Sequence, residues 1–294
     1  MDSIRRPAVA GTFYRGDPRA LRAEVEDCFT HNLGPGVVPT VNPDGPGRVR
    51  GLICPHAGYQ YSGAAAAWAF AELAADGRPE VIVMVGPNHT GMGQAAALCE
   101  ASAWSTPLGD VPVDGRVRAR ILADFPGARA DDTAHRFEHS LEVQLPFLQY
   151  LFGDGVPVVP IALRMVSASA ESSAQTLRLN HLGHTIADAL AGRRGLVIAS
   201  TDMTHFESHE AATEKDRGVL AHALALDAPG TLRAVDARRV SMCGVLAVAT
   251  MIYAVTAMEA RAARLLTYYT SGDITGDKRE VVGYAAAAFT AQPP

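Results

Sequence analysis

The sequence predicts an α/β fold, in which a mainly parallel central sheet is flanked by helices within one domain that spans residues 1–294. Segments with strand character alternate with segments of helical periodicity, which is typical of parallel sheets covered on both faces. Several strand segments are short, uncharged and rich in Val and Ile, as buried parallel strands are. A chain of 294 residues with 48% hydrophobic and 19% charged residues has enough apolar surface for such a core.

The chain begins with a short motif, a helix and a loop. Leu21, Val25 and Phe29 recur at helical spacing, so a helix is predicted over Pro18–Phe29. The segment Gly34–Gly47 follows, and eight of its fourteen residues are Gly or Pro, which predicts a loop.

Beyond this loop, strands and helices are predicted in alternation from hydrophobic period and turn residues. Strands are predicted at Val49–Cys54, Val81–Val85, Ala95–Cys99, Val156–Leu163, Leu196–Ser200, Arg264–Thr270 and Val281–Phe289. Helices are predicted at Ser62–Ala75, Arg116–Asp124, His139–Phe152, Thr176–Ala191, Glu210–Leu226 and Gly244–Met258.

Prolines modify two of these elements. Pro146 lies inside the helical pattern His139–Phe152, and it must kink this helix or end its first part. Pro157 and Pro160 lie in the strand Val156–Leu163, where the missing N–H groups favour an edge strand or a bulge.

Composition argues against several classes of function. The net charge is −5 and Lys and Arg do not cluster, which speaks against binding to nucleic acid or an anionic membrane. The uncharged stretch Val240–Met258 approaches the length of a membrane span, but its Ser, Cys, Gly, Thr and Tyr residues indicate a buried core helix. The N-terminus has no apolar signal segment and the four cysteines form no C-x-x-C pair. We therefore expect a cytoplasmic protein with reduced thiols.

Three apolar runs each end in a turn that carries a histidine. They read RGLICPH, ending at His56, VIVMVGPNH, ending at His89, and GLVIASTDMTH, ending at His205. Ligands of open α/β sheets bind outside the carboxyl ends of the strands, so these imidazoles are expected to meet in one crevice. The pattern predicts a metal site. Alone, His56 could equally be a loop histidine bonded to backbone, and the glycines around His89 could mark a phosphate loop, although the P-loop Lys and Ser/Thr are absent.

Further polar residues accompany these histidines. Asp202 lies three residues before His205, and such a pair is suited to general acid/base catalysis, although Asp202 could also cap the following helix. Cys243 begins a helix, whose N-terminal amides favour the thiolate, although a lone Cys is more often a small buried hydrophobe. His139 opens a helix beside Glu138. Two imidazoles and a thiolate suit Fe, Cu or Zn rather than Mg or Ca.

Long motifs in a fixed order carry a family resemblance over nearly the whole chain. They are RRPAVAGTFY, PHAGYQYSG, GPNHTG, EHSLEVQLPFL, STDMTHF, MCG and LLTYYTSGDITGDKREVVGYAA. With these motifs the chain resembles the Memo family, also called the AmmeMemoRadiSam system protein B family. That family is similar in fold to the class III extradiol ring-cleavage dioxygenases, whose pocket lies at the strand ends of an α/β domain.

The resemblance implies roles for individual residues. The metal ligands would be His56, His89 and Cys243. His205 would be the acid/base with Asp202 beside it, and Tyr61 would be a pocket residue. We assign His139 to substrate binding together with Tyr61. The dioxygenases use two histidines and a carboxylate on Fe(II), so Cys243 is a departure that favours softer ions. We therefore expect Fe(II) or Cu(I) rather than Zn.

The expected function is that of a metal-dependent, redox-active enzyme acting on an unknown small molecule, similar to the dioxygenases. One alternative is a module that binds a ligand or phosphopeptide without catalysis, suggested by the missing carboxylate ligand. Another is a Zn-dependent hydrolase, since two histidines and a cysteine can hold Zn with an open position. The family name suggests other AmmeMemoRadiSam-system proteins as partners.

Overall fold

A computed structural model describes residues 3–165 and 169–291, with strands and helices alternating along most of the chain. The strands are β1 (Ile4–Arg5), β2 (Val49–Cys54), β3 (Val81–Pro87), β4 (Ala96–Leu98), β5 (Ala103–Thr106), β6 (Gly109–Pro112), β7 (Arg129–Ala130), β8 (Val158–Leu163), β9 (Gly195–Ser200), β10 (His205–Glu207), β11 (Ala262–Thr270) and β12 (Val281–Thr290). The helices are α1 (Pro18–Thr30), α2 (Tyr59–Asp76), α3 (Gly115–Asp124), α4 (Leu145–Phe152), α5 (Ser173–Leu190), α6 (His209–Leu224), α7 (Ala228–Arg238), α8 (Val245–Ala257) and α9 (Ser271–Thr275).

The main sheet has a parallel centre with antiparallel strands added on both sides. Its order is β10-β12-β2-β9-β3-β8-β4-β7, with β11 also paired to β12. β2, β9, β3 and β8 are mutually parallel, whereas β12 is antiparallel to β2 and β4 is antiparallel to β8. A small sheet of β1, β5 and β6 accompanies it. The predicted α/β fold with helices flanking the sheet is confirmed, and the sheet is mixed.

Alternate residues of the central strands face two separate hydrophobic cores. In β3, Val81, Val83 and Val85 belong to a core shared with α3, α5, α6, α7 and α8. Ile82 and Met84 belong to a second core shared with α1, α2 and α4. This division follows from the two-residue period of a strand, which sends successive side chains to opposite faces. Both faces of the central sheet are therefore buried beneath helices.

The uncharged segment near the C-terminus forms the helix α8, and ten of its thirteen residues are buried. The interpretation of this segment as a core helix is confirmed. Gly51 in β2 permits its close approach, because a Cβ there would lie 2.6 Å from Sδ of Met251 and 2.7 Å from Val255. No helix within the described parts of the chain is long and apolar enough to cross a bilayer.

The prediction that the strand containing Pro160 lies at an edge is wrong, because β8 runs between β3 and β4. β4 is short, and the Cys99 N–H just beyond its end donates to the Pro160 carbonyl at 3.4 Å. In a regular antiparallel pair, the N–H of residue 160 would donate to the Cys99 carbonyl, but proline has no N–H. The Arg118 guanidinium donates to this carbonyl instead, at 2.9 Å. The interior of the sheet thus accommodates a proline because another donor replaces its missing N–H.

The helix predicted over His139–Phe152 begins later than expected. Residues Glu142–Gln144 form a 3₁₀ turn, and α4 starts at Leu145 with Pro146 in its first turn. Proline is favoured there because the first N–H groups of a helix have no intrahelical partner. His139 therefore lies on the loop that precedes this turn, and not on a helix.

A buried ion pair fixes the N-terminal segment to this loop. The Arg5 guanidinium pairs with the Glu142 carboxylate and also donates to the His135 carbonyl at 2.9 and 3.1 Å. Glu142 further accepts from the Ala8 N–H at 2.7 Å and the Tyr14 hydroxyl at 2.6 Å. A buried charge pair of this kind depends on every partner, since an unpaired buried charge is costly.

We expect Arg5→Ala to lower the free energy of unfolding by about 3–5 kcal/mol, because it leaves the Glu142 carboxylate buried without its cation. Arg6→Ala is the matched control, since Arg6 is exposed and has no ion pair within the described residues. Urea unfolding at neutral pH measures both. Equal stability of the two variants would show that the ion pair does not hold the segment in place.

Candidate metal centre at the strand ends

The register of the central strands brings their exit loops to one edge. Cys54 at the end of β2 lies beside Ser200 at the end of β9, and Val85 of β3 lies beside Ala199. His56 and His89 follow β2 and β3 by two residues each. Their ring centroids are 5.2 Å apart, so these two predicted ligands do lie together.

The third imidazole of the group belongs to His139. Its ring centroid lies 5.5 Å from that of His56 and 4.8 Å from that of His89. One ring nitrogen from each of the three residues lies within 4.8 Å of the others, which makes this the candidate metal-binding group in the part of the chain that the structure describes. His139 was predicted to bind substrate, and the structure places it within the group that could hold a metal ion.

Cys243 lies beside this group without joining it. Its Sγ is 3.2 Å from Nε2 of His56 and receives a hydrogen bond from the Asp202 N–H, also at 3.2 Å. Bonds of ~2.1 Å to nitrogen and ~2.3 Å to sulfur would place two ligands of one ion roughly 3–3.6 Å apart. An ion on His56 Nε2 would thus be within reach of the thiol.

Hydrogen bonds fix the His56 ring in one tautomer. The Ser200 hydroxyl donates its only proton to the Ser140 carbonyl at 2.7 Å. Its oxygen lies 2.9 Å from His56 Nδ1 and 3.1 Å from Gln144 Nε2, both of which must therefore donate to it. His56 carries its proton on Nδ1, so its Nε2 presents an unshared pair towards Cys243.

Glu138 orients the other two imidazoles. Its side chain is fully buried, and Oε1 lies 3.0 Å from His89 Nδ1 and 3.5 Å from His139 Nδ1. It also accepts from the backbone N–H groups of His89 at 2.6 Å and of His139 and Ser140 at 2.9 Å. Burial alone would raise the pKa of Glu138, but the hydrogen bond and charge of His89 and the backbone donors lower it to about 2.

Burial also lowers the pKa of two of the imidazoles, those of His56 and His139. It is the main reason that the pKa of His56 lies well below its usual range, and the neighbouring His89 and His139 add to the effect. Burial lowers the pKa of His139 too, although Glu138 opposes this change. With an acceptor near each Nδ1, the Nε2 atom of each ring is the nitrogen left to offer an electron pair, as metal-binding imidazoles require. The residues present therefore fit a metal ion.

Cys243 is a thiol in this environment. Burial is the largest cause of the raised pKa of Cys243, and the nearby Asp202 raises it further. This direction is opposite to the one expected from a helix N-terminus, and α8 starts only at Val245, two residues after Cys243. Metal coordination would displace the proton.

Asp202 and His205 are not joined by a hydrogen bond within the described residues, and each has other partners. Asp202 Oδ1 accepts from the His56 N–H at 2.8 Å, and burial raises the pKa of Asp202 to about 6. His205 is held by Ser241, whose Oγ accepts from the His205 N–H at 2.7 Å and whose carbonyl accepts from Nδ1 at 3.1 Å. Ser241 thus orients the ring and leaves Nε2 available for a proton.

Tyr61 lies at the start of α2 and lines a groove of about 460 Å³ between α1, α2 and α9. Glu24, Asp27 and Tyr59 share this groove with it. The Tyr61 carbonyl accepts from the Tyr269 hydroxyl at 2.8 Å. Tyr61 therefore lines this groove between the helices.

No role in holding the imidazole rings was predicted from the sequence for Glu138 or Ser200, although Glu138 was noted beside His139. The available signal was the Glu-His pair in FEHSLEVQL, because a carboxylate beside a metal-binding histidine often fixes its tautomer. Ser200 gave no such signal, since a serine at the end of a strand is common.

The fold and the imidazole group define an α/β protein with a candidate metal centre at the carboxyl ends of its parallel strands. The profile of the Memo-like protein family matches residues 5–288. This chain belongs to the Memo family.

Relatives and one solved structure agree with this membership. A MEMO1 family protein from Methanopyrus kandleri is 48% identical over 97% of this chain and 98% of its own length. Another, from Methanothermobacter thermautotrophicus, is 44% identical over 96% of this chain and 99% of its own. The crystal structure of an uncharacterized protein from Escherichia coli K12 matches with a TM-score of 0.53 and 16% identity, over 82% of this chain and 99% of that one. At 16% identity, this similarity shows a shared fold and nothing more.

We expect Glu138→Gln to destabilise the metal-free protein by about 1.5–3 kcal/mol, the range for hydrogen bonds to a charged group. The amide cannot accept from both His89 and the backbone as the carboxylate does, so metal affinity should also fall by about 10–100-fold. Urea unfolding and metal titration measure the two effects.

Glu100→Gln provides the control, because Glu100 is an exposed acid outside the site. If Glu138→Gln matched this control in both measurements, the orienting role of Glu138 would be refuted.

Proposed function

We propose that this chain is a metal-dependent redox enzyme that acts on a small molecule. The observation that carries the proposal is the convergence of three imidazoles, from His56, His89 and His139, each with an oxygen atom within 3.5 Å of its Nδ1. Imidazole ligands bind Fe, Cu and Zn, and a neighbouring thiol favours the softer ions of this set. Fe(II) or Cu(I) is therefore the proposed metal.

The surroundings of the group suit a small substrate. The His56 side chain is buried, whereas the side chains of His89 and His139 are 34% and 22% exposed. One side of the group thus opens to solvent, where a substrate can approach. A bound metal would supply an electron-transfer and Lewis-acid centre at that opening.

Protein groups near the opening can move and hold protons. His205 has its Nδ1 proton bonded to the Ser241 carbonyl, so its Nε2 can take a proton from a substrate. Asp202 fixes the backbone of His56, whose N–H donates to Asp202 Oδ1 at 2.8 Å. His205 is thus the proposed acid/base, with Asp202 as a positioning residue for His56.

A Zn-dependent hydrolase is the second candidate. It is favoured by the three-imidazole group itself, since three histidines with an open fourth position can hold catalytic Zn and lower the pKa of its water. A ligand- or phosphopeptide-binding module without catalysis, and partners from the AmmeMemoRadiSam system, stay predictions from the family resemblance.

Metal titration under anaerobic conditions tests the site with Fe(II), Cu(I) and Zn(II). We expect one ion per chain, with affinity reduced about a hundredfold or more in His56→Ala, His89→Ala and His139→Ala, because each variant removes a ligand. Cys243→Ser should weaken Cu(I) binding most, since the soft thiolate prefers that ion. His222→Ala is the control, because His222 is exposed and pairs with Asp227.

Unchanged affinity in the three imidazole variants would contradict the proposed centre. Metal analysis of freshly isolated protein separates the two candidates. Bound Fe or Cu with consumption of O2 in the presence of a reductant supports the redox enzyme. Bound Zn without O2 consumption supports the hydrolase.

A further inference from the structure

Three exposed apolar side chains line one groove beside the N-terminal segment. Ile4, Met92 and Phe137 are 40%, 43% and 59% exposed, and the groove that they share has a volume of about 630 Å³. Eight large hydrophobic side chains are exposed in the described parts of the chain, so three of them meet at one place. Single exposed apolar residues are ordinary, whereas a group of them in a concave surface indicates a binding site. The volume is that of a small-molecule pocket.

Hydrogen bonds hold the sides of this groove in place. One wall comes from residues 3–8 and the opposite wall from residues 132–137. The buried Arg5 side chain joins these walls, because it donates to the His135 carbonyl at 2.9 and 3.1 Å. On the third side, the Met92 carbonyl accepts from a side-chain amide of its own loop at 2.7 Å. The groove is therefore formed before a ligand arrives, which reduces the entropy lost on binding.

The lining of the groove has more positive than negative charge. Arg6 and Arg136 line it, and neither has an ion pair among the residues that the structure describes. Asp132 is the carboxylate of the lining, and its Oδ1 accepts from the Glu100 N–H at 2.7 Å. Since Arg5 is neutralised by its buried ion pair, two cations and one anion leave one net positive charge.

Positive charge and apolar surface lie side by side in this groove. The Arg136 guanidinium is 5.3 Å from the centroid of the Phe137 ring. A ligand whose apolar part covers Phe137 therefore brings a neighbouring anionic group close to Arg136. This combination suits a molecule that has an apolar body and a single negative charge at one end.

We propose that the groove binds a small aliphatic carboxylate, with its chain against Ile4, Met92 and Phe137 and its carboxylate beside Arg6 and Arg136. The planar guanidinium group matches a carboxylate because two of its N–H groups can donate to the two oxygens. One net positive charge favours a singly charged head group over a phosphate dianion. The three imidazoles do not line the groove, so this inference is independent of the proposed function.

Isothermal titration calorimetry with butanoate, hexanoate, octanoate and 1-octanol tests this inference. The full chain is first freed of metal with a chelator, so that a carboxylate cannot bind through an ion at the metal centre. We expect one octanoate per chain, with affinity rising up to about fourfold for each added methylene, because each one buries apolar surface. 1-Octanol should bind more weakly than octanoate, since it has the same chain without the charge.

Substitutions in the groove separate recognition of the head group from recognition of the chain. Arg6→Gln and Arg136→Gln should each weaken octanoate binding about two- to fivefold, the effect of an exposed charge pair, and leave 1-octanol affinity unchanged. Phe137→Ala should weaken both ligands by a similar factor, because it removes apolar contact. Arg116→Gln and Leu177→Ala are the matched controls, since both residues are exposed and lie outside the groove.

Several results would overturn the inference. Octanoate that fails to bind the wild type at millimolar concentration would refute it and leave the metal centre untouched. Equal octanoate affinity in Arg6→Gln, Arg136→Gln and the control Arg116→Gln would show that the carboxylate is bound elsewhere. A change from dimer to monomer in Phe137→Ala, measured by light scattering, would show that a second copy of the chain covers the groove instead. All these variants should melt near the wild-type temperature, because the replaced side chains are exposed.

Discussion

The buried carboxylate of Glu138 is the constraint on which the candidate site depends. It accepts from three backbone N–H groups and lies beside the Nδ1 atoms of His89 and His139. A carboxylate without solvent must keep such donors, because an unpaired buried charge is costly. The same contacts that stabilise Glu138 therefore fix the Nδ1 sides of two imidazoles that lie beside His56.

This constraint extends to the N-terminal segment. Arg5 pairs with Glu142 four residues further along the same loop, and Tyr14 donates to that carboxylate as well. Phe13 lies between Arg5 and Tyr14 in sequence, and its ring makes a tilted contact with that of His139. The N-terminal segment is far from the loop of Glu138 in sequence. Its contacts with Glu142 and His139 nevertheless hold that loop beside the strand ends.

Local sequence signals predicted the parts of the site that local structure determines. His56 and His89 follow strands whose apolar runs are plain in the sequence, and parallel strands deliver their exit loops to one edge. His139 could not be placed in this way, because its loop is positioned by contacts with Arg5 and Glu138. The position of β8 was missed for a similar reason, since Arg118 replaces the donor that Pro160 lacks. The helix α7 was also missed, as its pattern is short and has a proline at its second residue.

X-ray absorption spectroscopy of the metal-loaded protein counts the ligands of the ion and so tests whether the three imidazoles bind it together. We expect three imidazole nitrogens at ~2.0–2.1 Å in the wild type and two in His139→Ala. A sulfur from Cys243 at ~2.3 Å is compatible with this result if all three imidazoles are present. Two imidazoles and a sulfur in both proteins, unchanged by the loss of His139, would contradict it.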